Sequence, residues 1–292
     1  MELLPTISVV QATEISPPSV KRWNAQLERL MNALYTTTAL TLLAASAAQA
    51  HELNITTPGD QRCIVSNGIP NHEVGTWREG AVVEPQDHLF CVDAMPEDTG
   101  TITDKGVFIS GMTLTGIPLR PGTAEWYNPD ADPDADRPWT RDRSSGWNVE
   151  GVGGLIMDAQ NAHVDGDGMY HYHGIPEAVM TNLDGTLFAY AADGFEIHYV
   201  GGDIQSSYQL KEGEREGGNA PEGVHDGTYV QDWEYVEGSG DLDQCNGTMF
   251  DGEYRYYATD TYPFFPRCFR GDVTEAALGG GDRPERPVEN DG

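Results

Sequence analysis

The stretch NAHVDGDGMYHYHGIP, residues 161–176, sets His163, His171 and His173 on either side of a run of aspartates and glycines. Side chains two apart on a strand share a face, so His171 and His173 project together while Tyr170 and Tyr172 project to the other side. The VDGDG between them is strong turn chemistry and predicts that residues 159–164 fold back on 169–174 as a β-hairpin. Register then decides what the hairpin can do. A loop over 165–169 puts His163 directly opposite His171, and a loop over 165–167 also keeps all three imidazoles on one face. A two- or four-residue loop sends His163 to the tyrosine side.

The rest of the chain has the same character. Its 34 glycines and 18 prolines punctuate short apolar runs, and amphipathic helical periods are scarce. This pattern predicts a mainly β fold: a single large β-rich domain over residues 51–271, with many turns and few short helices. GVFISGMTLTGIPL (106–119) reads as two strands about Gly111, and GTLFAYAADGFEIHYV (185–200) as two more about the Asp193–Gly194 turn. GTYVQDWEYV (227–236) and GEYRYYAT (252–259) read as later strands, and a short helix is expected near Glu177 to Leu183. An internal echo, DGMYHY (167–172) and DGEYRY (251–256), raises the question of two equivalent hairpins.

Residues 1–50 read as a polar lead followed by a secretory signal peptide. The run MNALYTTTALTLLAASAAQA has an apolar core and a small-x-small ending, with cleavage expected after Ala50. That core is too short to span a bilayer, and no later segment is apolar enough to do so. The expected location is therefore secreted or periplasmic. A formal net charge of −30 repels phosphate backbones, which excludes nucleic acid as a partner class. The even count of cysteines, in an oxidising compartment, predicts two disulfides with three connectivities open, the local pairs Cys63–Cys91 and Cys245–Cys268 being favoured. The tail over 272–292 is too polar and glycine-rich to bury much and is expected to be flexible.

Three neutral imidazoles with an open position suit zinc or copper, so a metal ion is the expected partner of His163, His171 and His173. Asp165 and Asp167 are candidates for a supporting role as acceptors of a histidine N–H. Glu196 and His198 share a strand face and offer a lesser pair of ligands. His51, at the mature N-terminus, offers a brace for copper. The acidic segment NPDADPDADRP (128–138) suggests calcium but lacks the glycine and terminal glutamate of an EF-hand loop. Nucleophile-elbow, P-loop and dinucleotide-binding signatures are missing, and GVGG (151–154) lacks the spacing of the last. Two readings without catalysis stay open: an extracellular carbohydrate- or surface-binding module built on exposed aromatics, and a calcium-stabilised structural domain.

Several separate motifs resemble the YHYH-domain proteins, an exported family named for its tetrapeptide. They are NHEVGTW (71–77), GIPLRPGTAEWY (116–127), YHYHG (170–174), AADGF (191–195), GDLDQCNG (240–247) and TYPFFPRCFRG (261–271). The resemblance spans nearly the whole mature chain but carries no substrate or reaction. It directs attention to the three histidines and adds Asp193 of ADGF and Asp243 of LDQCNG as site residues expected beside them, with Asn246 in the same motif. The chain departs from the family pattern with Glu196 and His198 in ADGFEIH, and with Arg255 and Tyr257 in YRYY, where the resemblance implies that a second histidine-bearing copy can occur.

Overall fold

The computed structural model describes residues 50–78, 81–103, 109–132, 135 and 138–273. Most of the expected signal segment, up to Gln49, the residues from 274 on and parts of the acidic segment 128–138 lie outside the described residues. The described chain is mainly β. Strands β1 (Leu53–Thr56), β2 (Gln61–Ser66) and β3 (His88–Asp93) form an antiparallel sheet in that order, and Cys63 lies directly opposite Cys91 across β2 and β3. That pair is bonded, as is Cys245–Cys268, so both expected disulfides are present. No helix among the described residues is long and apolar enough to cross a membrane.

An eight-stranded sheet carries the core. It uses β4 (Gly111–Thr113), β5 (Pro118–Leu119), β8 (Ala162–Val164), β9 (Tyr170–Tyr172), β10 (Leu187–Ala191), β11 (Glu196–His198), β14 (Gly247–Phe250) and β15 (Glu253–Tyr257), in the order β14-β15-β11-β10-β4-β5-β9-β8. Two small ribbons complete the strands, β6 (Trp126–Tyr127) with β7 (Trp139–Thr140), and β12 (Tyr208–Leu210) with β13 (Trp233–Tyr235). Helix α1 (Gly151–Gly154) is a single turn and α2 (Glu177–Thr181) lies where a short helix was expected. The inner strands read as apolar runs because they are covered, and Met112, Leu119, Tyr172, Phe188, Ile197 and Tyr256 are all buried. Each such side chain contributes about 1.5–3 kcal/mol of transfer free energy.

Two strand expectations need correction. The turn in 106–119 falls at Thr115–Gly116, not at Gly111, because Gly116 takes the left-handed φ of 71° that the turn requires. Gly111 is glycine for another reason: a Cβ there would sit 2.7 Å from the Tyr190 carbonyl oxygen across the β4–β10 pair. The segment 227–236 opens with a 3-10 turn, Val230–Asp232, before β13 begins.

The large sheet repeats itself about its centre. β4 and β10 pair antiparallel with Met112 opposite Tyr190, Thr113 opposite Ala189 and Gly111 opposite Ala191. On either side, Leu114 N donates to Phe188 O and Ala192 N to Ser110 O, at 3.0 and 2.9 Å. Each central strand turns back through an equivalent tight loop, closed by Thr113 N to Ile117 O in one and Ala191 N to Phe195 O in the other, with Gly116 and Gly194 both at positive φ. Each return strand then pairs parallel with an outer hairpin, Leu119 beside Tyr172 and Ile197 beside Tyr256.

Candidate metal centre

The β8–β9 hairpin closes through residues 165–169, with Asp165 N donating to Met169 O and Gly168 N to Asp165 O. Asp165 Oδ1 also accepts from the backbone N–H groups of Asp167 and Met169, which fixes the loop length. An odd loop gives the parity that the histidines need. His163 pairs directly with His171, and the ladder continues past β9 with His173 N donating to Asn161 O at 2.8 Å. All three imidazoles therefore stand on one face, their tyrosine neighbours on the other.

The rings converge by their Nε2 atoms. His171 Nε2 lies 3.0 Å from His173 Nε2, which in turn lies 3.2 Å from His163 Nε2. Ligand nitrogens around a tetrahedral zinc ion, with bonds of about 2.0–2.1 Å, are separated by about 3.3 Å. The outer nitrogens set the tautomers. His171 Nδ1 donates to Met169 O at 2.9 Å, which leaves its Nε2 lone pair facing inward. A ring N–H of His163 donates to the Ile156 carbonyl. The Pro121 carbonyl favours an N–H on His173, though no acceptor meets its buried Nδ1 at full hydrogen-bond geometry.

Burial holds these rings neutral. His171 and His173 are each 2% exposed, and desolvation drives both pKa values well below the ordinary histidine range, with the Arg120 charge and the neighbouring imidazoles adding to the effect. The His163 pKa is lowered mainly by desolvation, with Glu125 and Asp165 acting the other way. Arg120 is held in place by Asp165, Nη1 to Oδ2 at 2.8 Å. Gly151 closes the far side, since a Cβ at that position would run into the His173 ring. Neutral imidazoles with their Nε2 atoms inward and no carboxylate in the group make a donor set of nitrogen only.

The opposite face of the hairpin anchors it. Tyr170 OH donates to Asp158 Oδ2 at 2.7 Å, and Asp158 Oδ1 accepts from Gln160 N and Ala162 N. Tyr172 OH donates to His72 Nε2 at 2.6 Å. The tyrosines thus clamp β9 from behind while its histidines face forward.

Among the described residues, His163, His171 and His173 form the one group of three or more metal-ligating side chains that converges. Asp193 and Asp243, expected beside them, do not join it. Asp193 Oδ2 accepts from Tyr256 OH and Gly271 N, at 2.7 and 3.0 Å. Asp243 Oδ2 accepts from Tyr254 OH, and its Oδ1 from Cys245 N and Gly247 N. Both carboxylates accept from tyrosines of the β14–β15 hairpin. Glu196 and His198 bond each other at 2.7 Å, apart from the three histidines. His51 Nδ1 lies 2.6 Å from the Ile69 carbonyl oxygen, an acceptor that claims this nitrogen's hydrogen rather than leaving a lone pair for copper.

Sequence reasoning passed over Arg120, Asp158 and Gly151. The GVGG run was weighed only as a cofactor loop, whereas its first glycine makes room for an imidazole. Asp158 could have been found from the echo itself, because it precedes Asn161 as Asp243 precedes Asn246.

No curated protein and no solved structure matches the chain. The family model described as YHYH protein matches residues 90–271, from within β3 to the residue after Arg270, and so takes in both outer hairpins and all three histidines. The chain belongs to the YHYH protein family.

Proposed function

We propose that this chain is an exported metalloprotein that holds one zinc or copper ion on His163, His171 and His173. A single observation carries the reading: three imidazoles gather their ligand nitrogens within 4.8 Å of one another, 3.0 and 3.2 Å between successive Nε2 atoms, with an acceptor for the His171 proton at its outer nitrogen. Without an ion, a proton on one of these inward nitrogens has to be shared between neighbouring rings in a buried space. An ion between them replaces that sharing with coordination. The donor set decides the class of metal, since calcium takes six to eight oxygen ligands and an all-imidazole set suits zinc or copper. Three protein ligands leave a fourth tetrahedral position for water or a substrate atom, the arrangement of catalytic rather than closed structural sites.

Metal analysis of the full exported chain, purified without chelator, tests this. One equivalent of zinc or copper is expected in the wild type. His171→Ala should weaken binding by more than the 10–100-fold typical of losing an outer-shell partner. A wild-type chain that gains no transition metal on equilibration with either ion, while retaining its cooperative melt, overturns the reading.

A further inference from the structure

The two outer hairpins of the large sheet match beyond their strand pairing. Asp158 N donates to Ala162 O and Asp243 N to Gly247 O, both at 2.9 Å. Asn161 N donates to Asp158 O and Asn246 N to Asp243 O, and both asparagines take a left-handed φ, 51° and 65°. Tyr170 OH donates to Asp158 and Tyr254 OH to Asp243. His173 N donates to Asn161 O and Tyr257 N to Asn246 O, each at 2.8 Å. Tyr256 donates to Asp193 just before Gly194, at the loop position that Thr115 holds just before Gly116.

These equivalences fix a residue correspondence. His163 pairs with His171 as Thr248 pairs with Arg255, so Thr248 and Arg255 occupy the places of the first two histidines. Tyr257 occupies the place of His173 by the shared asparagine bond. His198 occupies the place of Arg120, each following its parallel-paired residue, Ile197 or Leu119. What the copies share is support: a carboxylate, a left-handed asparagine, two tyrosines. What they do not share is confined to the face that carries the imidazoles.

We propose that the large sheet consists of two copies of one metal-holding unit and that the β14–β15 copy is a vacated centre. Its register sets Thr248 opposite Arg255, with Tyr257 two residues further along the same strand, as in the first copy, but threonine, arginine and tyrosine offer no imidazole nitrogen to a metal. The inference rests on reading the first centre as a metal site. Room for ligands remains in the second copy. Thr248 and Arg255 are only half-buried, and Arg255 lays its guanidinium 4.4 Å over the ring of Phe250. His198 is buried beside Tyr257, ring centroids 6.1 Å apart, and the Arg255 charge reaches it. An imidazole thus already borders the vacated position.

The test transplants the ligands. Thr248→His, Arg255→His and Tyr257→His are combined in the full exported chain, once with the native histidines and once with His163, His171 and His173 all changed to Ala. Zinc content is then measured after equilibration and desalting. The transplant should raise the content from one ion to two in the first background and from none to one in the second. A folded transplant, with both disulfides and a cooperative melt, that gains no ion in either background overturns the inference. A wild type holding none beside a transplant that gains one sinks the proposed function, and with it the first copy as a metal centre, while showing that the second hairpin can hold an ion. Should Tyr257→His abolish the melt, Thr248→His/Arg255→His is compared with Asn54→His/Val65→His, a directly paired couple in the unrelated β1–β2 hairpin. The first pair should bind zinc about tenfold tighter, an effect of the size that surrounding groups exert on a metal site. Equal affinities overturn the inference.

Discussion

The β8–β9 and β14–β15 hairpins are built on the same hydrogen bonds and are tied down by different means. In the second, Cys245 sits between Asp243 and Asn246 and is bonded to Cys268. In the first, the corresponding residue is Gln160, whose side chain accepts from Ala178 N at the start of α2. The first hairpin has three imidazoles at one point where the second has a threonine, an arginine and a tyrosine. A shared scaffold therefore carries a covalent crosslink on one side of the sheet and a nitrogen donor set on the other. Support and chemistry occupy opposite faces of each hairpin, so either can change without the other.

That contrast can be broken most forcefully by removing each tie in turn. Binding to the folded state alone stabilises by about 4 kcal/mol when the free ion stands at 1,000 times its dissociation constant. Chelation should therefore lower the melting temperature of the wild type and leave the His163→Ala/His171→Ala/His173→Ala chain where it was. Removing the Cys245–Cys268 bond, which spans 23 residues, should cost about 3 kcal/mol through the added freedom of the unfolded chain, in both proteins alike. Thermal unfolding with and without chelator reads both effects. A chelator effect that survives loss of the three histidines would place the ion elsewhere.

Much of this was legible in the sequence. VDGDG between alternating histidines and tyrosines specified the hairpin and its two faces, since period-2 alternation and turn chemistry are local properties. The cysteine pairs followed from local pairing within an even count. What could not be read was the loop parity, which Asp165 decides by accepting from two backbone N–H groups of its own turn. Nor could the roles of Asp193 and Asp243 be read, because they depend on which tyrosines face them across strands distant in sequence. The DG-x-Y-x-Y echo was visible at six positions. Its meaning lay in Asp158, Asn161 and the β4–β10 centre, where identity is nearly lost and only the hydrogen bonds repeat.

The pH dependence of the metal-free protein offers a second break. His171 and His173 have folded-state pKa values well below the ordinary value of about 6.5 that they regain on unfolding. The unfolded chain therefore binds more protons below that pH. The stability these rings contribute is present in full above about pH 6.5 and is lost as pH falls toward their depressed folded values. The expected slope is about 1.4 kcal/mol per pH unit for each buried ring that titrates only on unfolding. Denaturant unfolding at pH 7.5 and pH 5.5 should show this loss in the wild type and a smaller one in His171→Ala/His173→Ala. Equal pH slopes in the two proteins would mean that the imidazoles are not held neutral by burial.

The smallest effect separates support from chemistry most directly. Asp158→Ala removes the acceptor used by Tyr170 OH, Gly75 N, Gln160 N and Ala162 N. Asp243→Ala removes the one used by Tyr254 OH, Cys245 N and Gly247 N. Each substitution leaves several donors without a partner in a mostly buried place and should cost about 2 kcal/mol of stability. The two should differ in their effect on the metal. Tyr170 adjoins His171, and loosening its anchor lets the imidazole wander, so Asp158→Ala should weaken binding about tenfold, as the loss of orienting partners does in other centres. Asp243→Ala should leave the affinity unchanged, because its carboxylate serves the hairpin without ligands and Arg270. Paired unfolding and zinc titrations of the two variants check this, and a loss of affinity in Asp243→Ala equal to that in Asp158→Ala would return Asp243 to the metal site and erase the division between the hairpins.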